Sequence, residues 1–535
     1  MSNKIKISPY ELEIFNNILS SVAEEMGAVL IKAAYSPNIK ERRDLSCALF
    51  DEKGEMVSQA AHIPVHLGSM SFAVKSVLNE LDLDKGDILI LNDPFKGGTH
   101  LPDITIISPF YYAGKIQYFL ASRAHHADVG GITPGSMPLS KNINEEGVII
   151  PPSKLYSKNK MNRALFNKII NSTRDPEERK GDFNAQIGAI NLGLGRLHSV
   201  VKKYSLKKVR AASDELLNYS ERMMRSVIKE IKDGTAQFTD YLDDDGFGTK
   251  KIKLDVKLTI KNDCALVDFT GSSKQVKGCL NCPLSVTTSA VLYVFQCLAP
   301  RELPLNSGSL RPIEIITEKG SILDADYPSA VAGGNVETSQ RVVDVVFGAL
   351  SKVISYRVPA ASSGSMSNVT LGGKTSSGNG NFAYYETIAG GMGARFGLNG
   401  ISGVQTHMTN TLNTPIESLE RELPVLVNSY SIRANSGGKG KYNGGDGITR
   451  SFKFLTDVTV TLITDRRRNA PYGIKGGSKG KKGINSIVID GSKKVLQPKT
   501  SLKLKKGSIL KIETPGGGGW GRVFSKRKSS IPYNN

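Results

Sequence analysis

Seven histidines occur in this 535-residue chain, and five of them (His62, His66, His100, His125 and His126) fall between positions 62 and 126. Two stretches concentrate the chemistry: Asn92-Asp-Pro-Phe-Lys-Gly-Gly-Thr-His-Leu-Pro-Asp103 and Arg123-Ala-His-His-Ala-Asp-Val-Gly-Gly131. Imidazole and carboxylate from such a cluster suit a divalent metal with an open coordination position, Zn²⁺, Mn²⁺ or Fe²⁺. His100, Asp103 and one histidine of the pair His125/His126 would make a three-ligand site. The competing reading is structural: the same residue types hydrogen-bond backbone in tight turns.

The elements around these residues decide whether they can meet. Ile104-Thr-Ile-Ile-Ser108 and Ile116-Gln-Tyr-Phe-Leu-Ala121 are two apolar runs separated by a Tyr-Ala-Gly turn, the pattern of a β-hairpin. If Ala113-Gly114 is a two-residue turn, Tyr112 faces Lys115 and Asp103 sits opposite Ala124. Two motifs, whose Asp103 and His125 are 22 residues apart, then meet at one hairpin mouth. Register selects the ligand. A strict two-residue turn puts His126 on the face of Asp103, and one extra loop residue puts His125 there. Pro102 disfavours helix at Leu101, so His100 and Asp103 converge through a turn that the preceding glycine pair permits.

Further out, Ser8-Pro9-Tyr10-Glu11 is a capping box with proline at the first helical position. Apolar residues follow at helical spacing as far as Ala33, and Pro37 is expected to stop the helix. A loop over 38–44 leads into a buried strand, Leu45-Ser-Cys-Ala-Leu-Phe50, and a second strand covers Asp87-Ile-Leu-Ile-Leu91. Residues 160–232 are mostly helical in pattern, strands return over 235–275, and 280–430 mixes helices with glycine-rich loops. The fold expected is a mixed α/β (α+β), multi-domain chain. Its parts are an N-terminal metal-bearing α/β region with following helices (1–235), a middle α/β region (236–430) and a β-rich basic C-terminal region (431–525). A disordered tail is expected over 526–535.

The net charge of +20 is local. From Arg433 onward there are 23 Lys+Arg against 5 Asp+Glu, a net of +18, which leaves about +2 for the other 432 residues. This region lacks interleaved aromatics and any nucleic-acid reader motif, so nucleic acid is not an expected partner. A solvated basic surface, including Asp465-Arg-Arg-Arg468 and Lys475 to Lys482, is expected, with docking of an acidic partner as the alternative. No run of 18 apolar residues suggests a membrane span. No secretory h-region follows the first basic residues, and five cysteines are too sparse for a disulfide framework. The location expected is cytoplasmic. Cys279-Leu-Asn-Cys282 has no second pair and is expected to hold buried thiols. Pro515-Gly-Gly-Gly-Gly-Trp520 either cradles an anion or marks close backbone packing. No GxxxxGK[ST] phosphate loop is present.

The motifs resemble the hydantoinase B/oxoprolinase family over about Ser8 to Gly521. They are Glu41-Arg-Arg-Asp-Leu-Ser-Cys-Ala48, Pro64-Val-His-Leu-Gly68, the two histidine stretches, Arg179-Lys-Gly-Asp-Phe-Asn-Ala-Gln186, Gly334-Asn-Val-Glu-Thr-Ser-Gln-Arg341, Asn435-Ser-Gly-Gly438 and Thr514-Pro-Gly-Gly-Gly-Gly-Trp-Gly521. The resemblance implies a division of labour. A hydantoinase A-type ATP-binding partner activates a carbonyl or lactam oxygen by phosphorylation, and the protein completes the reaction at a metal, in a hetero-oligomer. It implies a B-type subunit of an ATP-dependent cyclic-amide hydrolase (hydantoinase or 5-oxoprolinase). The alternatives are a ketone carboxylase α-type subunit and a non-catalytic scaffold. It places the ligands at His100, Asp103 and His125, with His126 the alternative from register. Asp44 is a candidate fourth ligand or base, and Asp44, His66 and Asp128 are candidates for general base or for orienting a ligand histidine. Gly397-Leu-Asn-Gly400 and the residues after Trp520 depart from the family pattern, which bears on substrate detail.

Overall fold

The computed structural model describes residues 5–60, 63–301, 303–375 and 380–523, so His62 and the expected tail over 526–535 lie outside the described residues. Helix α1 (Pro9–Ala33) starts where the capping box places it, with the Glu11 carboxylate accepting from the Ser8 N–H at 3.0 Å and the Ser8 hydroxyl at 2.7 Å. It ends at Ala33, before Pro37. That proline instead opens a single-turn helix, α2 (Pro37–Lys40), inside the segment expected to be loop, which fits its preference for a first helical position.

A seven-stranded antiparallel sheet follows: β1 (Leu45–Asp51), β2 (Met56–Gln59), β3 (Ile88–Leu91), β4 (Asp103–Tyr112), β5 (Lys115–His125), β6 (Ser153–Ser157) and β7 (Lys160–Met161). Its order is β2-β1-β5-β4-β3-β6-β7. Alternation sorts its side chains. Leu45, Cys47, Leu49, Ile104, Ile106 and Leu120 face a core with α1 and the long helices α5 (Pro176–Tyr204) and α6 (Leu206–Lys229); the short helix α4 (Arg163–Asn171) precedes them. Ala48, Phe50, Ile107, Phe119 and Ala121 face the opposite way, against Met70, Ala73, Val74 and Val77 of α3 (Ser69–Glu80). Helix α1 has the length and hydropathy of a membrane span, but its Phe15, Leu19, Val22, Met26 and Leu30 lie in the first of these cores.

The expected hairpin is present, with both turn residues at positive φ, Ala113 at 50° and Gly114 at 77°. Tyr112 pairs with Lys115 and Tyr111 with Ile116, as a strict two-residue turn requires. The register then slips at a β-bulge: Phe110 pairs with Tyr118, leaving Gln117 as the extra residue. From there on every pair is displaced by one, so Asp103 faces His125 rather than Ala124. The extra residue sits in the strand, not in the loop.

The second sheet holds β8 (Gly234–Asp244), β9 (Lys250–Lys261), β10 (Cys264–Asp268) and β11 (Ile313–Ile316), in the order β11-β10-β9-β8. It packs with α7 (Leu284–Gln296) and α8 (Ser339–Ile354) around a third core. Two further sheets face each other. One is β13-β12-β16-β19, built from β12 (Asn368–Lys374), β13 (Asn381–Glu386), β16 (Val458–Ile463) and β19 (Lys499–Leu504). The other is β14-β15-β20-β17-β18, built from β14 (Val425–Arg433), β15 (Gly447–Phe454), β17 (Ile484–Ile489), β18 (Ser492–Val495) and β20 (Ile509–Glu513). Helix α9 (Ile416–Glu422) contributes Leu419 to the core between them. A boundary at 430 therefore runs through β14, and the sheet containing β12 draws strands from both sides of it.

The basic C-terminal region divides in two. Lys475, Lys479, Lys481 and Lys482 are exposed. Arg466 is not: it is fully buried, with Nη2 2.6 Å from Asp344 and 2.8 Å from Asp240. Arg467 turns inward onto Ser367 and Asn485, and Arg468 alone of the three is exposed, beside Asp244. The expectation that Asp465-Arg-Arg-Arg468 is a solvated surface is therefore corrected. Aspartates at 240, 243, 244 and 344, far off in sequence, draw the arginines in. The glycine run is a packing device rather than an anion cradle. The N–H groups of Gly516, Gly517, Gly518 and Gly519 donate to the carbonyls of Lys481, Gly445, Ala361 and Ser478, leaving none for a ligand.

Candidate metal centre

Four separate pieces of chain converge on Asp103. It is the first residue of β4, and its carboxylate stands 2.9 Å from His100 Nε2 and 3.0 Å from His125 Nδ1, both through Oδ1. The two histidine nitrogens are 3.2 Å apart. Oδ2 accepts from the Thr99 hydroxyl at 2.6 Å and lies 3.3 Å from His66 Nε2 and 3.4 Å from Asn335 Nδ2. His66 is in turn fixed by Ser46 Oγ, 2.9 Å from its Nδ1. The His125 ring stacks on Tyr385, centroids 4.7 Å apart, and the Arg42 guanidinium lies 4.7 Å from the centroid of that tyrosine ring.

Strand parity explains the grouping. Asp103 and His125 are directly opposed across β4 and β5, so both side chains leave the sheet on the α3 face. Asp44 precedes β1, and its carbonyl accepts the His125 N–H at 3.0 Å. One residue on, His126 leaves on the opposite face, where Nε2 meets Gln186 Oε1 at 2.9 Å and the ring packs on Phe183 of α5. Asp128 is elsewhere too. It accepts the Gly130 and Gly135 N–H groups and pairs with Arg174 at 2.5 Å, closing the turn after β5. Of the expected site residues, the structure gathers His100, Asp103, His125, His66 and Asp44 around one cavity and leaves out His126 and Asp128.

That cavity has a volume of about 20 Å³, room for one water-sized occupant. Its other walls come from Asn335 and Val336, and from Met366, Tyr385 and Met408 of the later chain. The donor set fits a divalent cation. Ligands held at about 2.1 Å from one ion and at right angles to each other are about 3.0 Å apart. The three separations between His100 Nε2, His125 Nδ1 and Asp103 Oδ1 run from 2.9 to 3.2 Å. Charge states agree. Burial favours the neutral form of the Asp103 carboxyl, yet the surrounding histidines, His100 foremost, hold it well below the usual carboxylate range. Burial lowers the His125 pKa despite Asp103, which keeps its imidazole neutral as a ligand must be.

Asn335, Thr99 and Tyr385 were not singled out from sequence. Asn335 stands in a single π-helical turn, Gly334–Thr338, ahead of α8. Such turns recur at functional sites. The available signal was an asparagine after Gly333-Gly334, at the start of the Gly334 to Arg341 motif. Cys279 and Cys282 are buried free thiols, as expected, and burial pushes both up to about 12. Their loop holds the π-turn in place: the Gly334 N–H donates to the Cys279 carbonyl at 3.0 Å, and Thr338 Oγ1 donates to that of Leu280 at 2.6 Å.

The hydantoinase B/oxoprolinase family model matches residues 8–523. A 5-oxoprolinase of Dictyostelium discoideum is 39% identical over 533 residues, covering 97% of this chain and 41% of its own. The chain thus spans about two-fifths of that relative. The B component of a putative D-/L-hydantoinase of Pseudomonas sp. is 32% identical, covering 98% of this chain and 92% of its own. Among solved structures, the ATP-dependent caprolactamase of Pseudomonas jessenii superposes with a TM-score of 0.90 at 27% identity, over 97% of this chain and 92% of that one. A match of this extent, with the converging histidines and aspartate in place, makes the chain a member of the hydantoinase B/oxoprolinase family.

Proposed function

We propose that this chain is the hydrolytic component of an ATP-dependent cyclic-amide hydrolase of the hydantoinase or 5-oxoprolinase type. The observation that carries the reading is the meeting of two imidazole nitrogens and one carboxylate oxygen within 3.2 Å in a buried cavity. His100, Asp103 and His125 hold a divalent metal, and Asp44 stands beside them on the cavity wall. A cation there supplies the charge that lowers the pKa of a bound water toward neutrality. Thr99 and His66 hold the second oxygen of Asp103, so its first oxygen keeps its aim. Asp44, on the cavity wall, would be the group to accept a proton there. A lactam ring is larger than the present cavity, so substrate entry displaces part of the wall.

ATP is used by a separate, hydantoinase A-type partner in a hetero-oligomer. Two similarities support this: the hydantoinase relative is named as one component of a multi-subunit enzyme, and the 5-oxoprolinase carries more than half of its length outside the matched part. The test is to purify the chain with the ATP-binding partner, measure its metal, and assay ATP turnover with 5-oxoproline, hydantoin, and acetone plus bicarbonate. The reading expects near one Zn, Mn or Fe per chain and turnover with a cyclic amide that chelation abolishes. Turnover with acetone and bicarbonate alone would replace it by the ketone carboxylase. Metal and turnover both absent would leave a scaffold.

A further inference from the structure

His125 differs from its neighbours in how its ring is held. His66 Nδ1 meets Ser46 Oγ at 2.9 Å, and His126 Nε2 meets Gln186 Oε1 at 2.9 Å. His125 Nε2 is buried, and no group among the described residues hydrogen-bonds to it. The usual device for aiming a ligand imidazole, a hydrogen bond on its other nitrogen, is therefore missing. The torsion that turns a histidine ring about its Cβ–Cγ bond is soft, so the rotamer does not fix the plane either.

The face of the ring is held instead. Tyr385 of β13 stacks on it, with centroids 4.7 Å apart and planes 20° from parallel. Tyr385 is anchored in turn. Its hydroxyl donates to Asn368 Oδ1 at 2.8 Å, and Asn368 Nδ2 donates to Glu337 Oε1 at 2.7 Å and to the Ile463 carbonyl at 2.9 Å. Its carbonyl accepts from Arg42 Nη1 at 2.7 Å, and Arg42 Nη2 donates to Thr387 Oγ1 at 3.2 Å. The tyrosine is thus pinned at its hydroxyl and at its backbone, and its ring face meets the imidazole.

We propose that Tyr385 is a positioning residue for the metal centre: its ring face fixes the plane of His125, so that Nδ1 keeps its aim. This rests on the metal site of the reading above and not on the identity of the substrate. A flat side chain is what the role requires, and the hydroxyl serves to anchor it. Ligands carried by the N-terminal hairpin are in this way held in place by a strand of the C-terminal half of the chain.

The experiment measures metal affinity on the full chain, stripped with a chelator and titrated with Zn²⁺ and with Mn²⁺ against a chelating dye. Tyr385→Leu removes the flat face and should weaken binding by about tenfold or more. Tyr385→Phe keeps the face and should stay within about threefold of the unmodified chain. Tyr385→Met fills more of the space without a ring and gives the same readout should the leucine variant fail to fold. Tyr384→Leu is the control, because Tyr384 is next on β13 but turns into the core between the two C-terminal sheets. It should lower the unfolding temperature and leave metal affinity unchanged. Leucine and methionine variants that bind as tightly as the unmodified chain would overturn the proposal. So would a phenylalanine variant as weak as the leucine one, or an equal loss in Tyr384→Leu, which would mark a general loosening of the fold. An unmodified chain that takes up neither metal removes the metal reading itself, and this proposal with it. Tight binding that no Tyr385 variant changes leaves that reading intact and removes this one alone.

Discussion

Gly334 stands so close to Asn281 that a Cβ on the glycine would lie inside 3.0 Å of the asparagine carbonyl oxygen, a separation real side chains do not adopt. The neighbour is backbone and cannot swing aside. Gly334→Ala must therefore displace the π-turn and Asn335 with it, while Asp103 and His125 stay on their hairpin and His100 in the turn before it. The expected result is a loss of turnover of about a hundredfold with bound metal retained. Loss of metal in parallel with activity would mean that the turn supports the ligands rather than the substrate.

Replacing His100, Asp103 or His125 by alanine should remove most of the bound metal and abolish turnover. His126→Ala should keep the metal, because its ring lies on the other side of the sheet. Its cost is to stability, about 1–3 kcal/mol, from the unpaired Gln186 oxygen and the gap beside Phe183. Metal content and thermal unfolding of the four variants separate the two effects. A His126 variant that is stable and metal-free would reverse the assignment.

Arg466 balances two carboxylates, the buried Asp344 and the partly exposed Asp240. Arg466→Ala leaves both without it and should destabilise the protein by about 3–5 kcal/mol, read from denaturant midpoints. Reversal of the exposed Lys475, Lys479 and Lys482 should change stability by less than about 0.5 kcal/mol. If this surface docks an acidic partner, the same reversal will weaken association with that partner most at low salt. Association unchanged across salt concentrations assigns these lysines to solvent alone.

Glu337 is fully buried, and burial, with Asp465 nearby, pushes its carboxyl from the ordinary 4.5 up to about 8. The folded protein thus keeps a proton that the unfolded chain has already released. The stabilisation is complete below about pH 4.5 and is lost as the pH rises through about 8, at up to about 1.4 kcal/mol per pH unit between. Glu337→Gln retains an acceptor for the Met366 N–H and Asn368 and cannot ionise. Its stability should fall less than that of the unmodified protein between pH 5 and 8.5 in urea titrations. Parallel pH profiles would place the ionisation elsewhere.

The local signals in the sequence were reliable where one element decides the outcome. The capping box at Ser8, the alternating strands and the hairpin turn at Ala113-Gly114 all depend on a few adjacent residues, and each stands where expected. The bulge at Gln117 could not be seen that way. A one-residue slip depends on how β5 packs between β1 and β4, and nothing in Gln117 itself announces it, yet it decides between His125 and His126. Arg466 failed for a related reason: a three-arginine run looks like surface until the aspartates that neutralise it are known, and those lie at least 120 residues away. Asn335 lies 232 residues from Asp103. Its motif was visible, but only the folded chain shows that it faces Asp103.

The close-packed glycines near the end of the chain also govern the order in which the molecule can be completed during synthesis. The hairpin that carries Asp103 and His125 is finished by residue 125, whereas the cavity wall at Met366 and Tyr385 belongs to a unit whose last inserted piece is Gly516–Gly519. Gly518 bonds back to Ala361, and a Cβ on it would collide with the Tyr472 carbonyl, so this piece threads between segments already made. A ribosome therefore displays the histidines and aspartate long before it releases the residues that enclose them. During that interval Asp103 and His125 stand without the wall that later covers them.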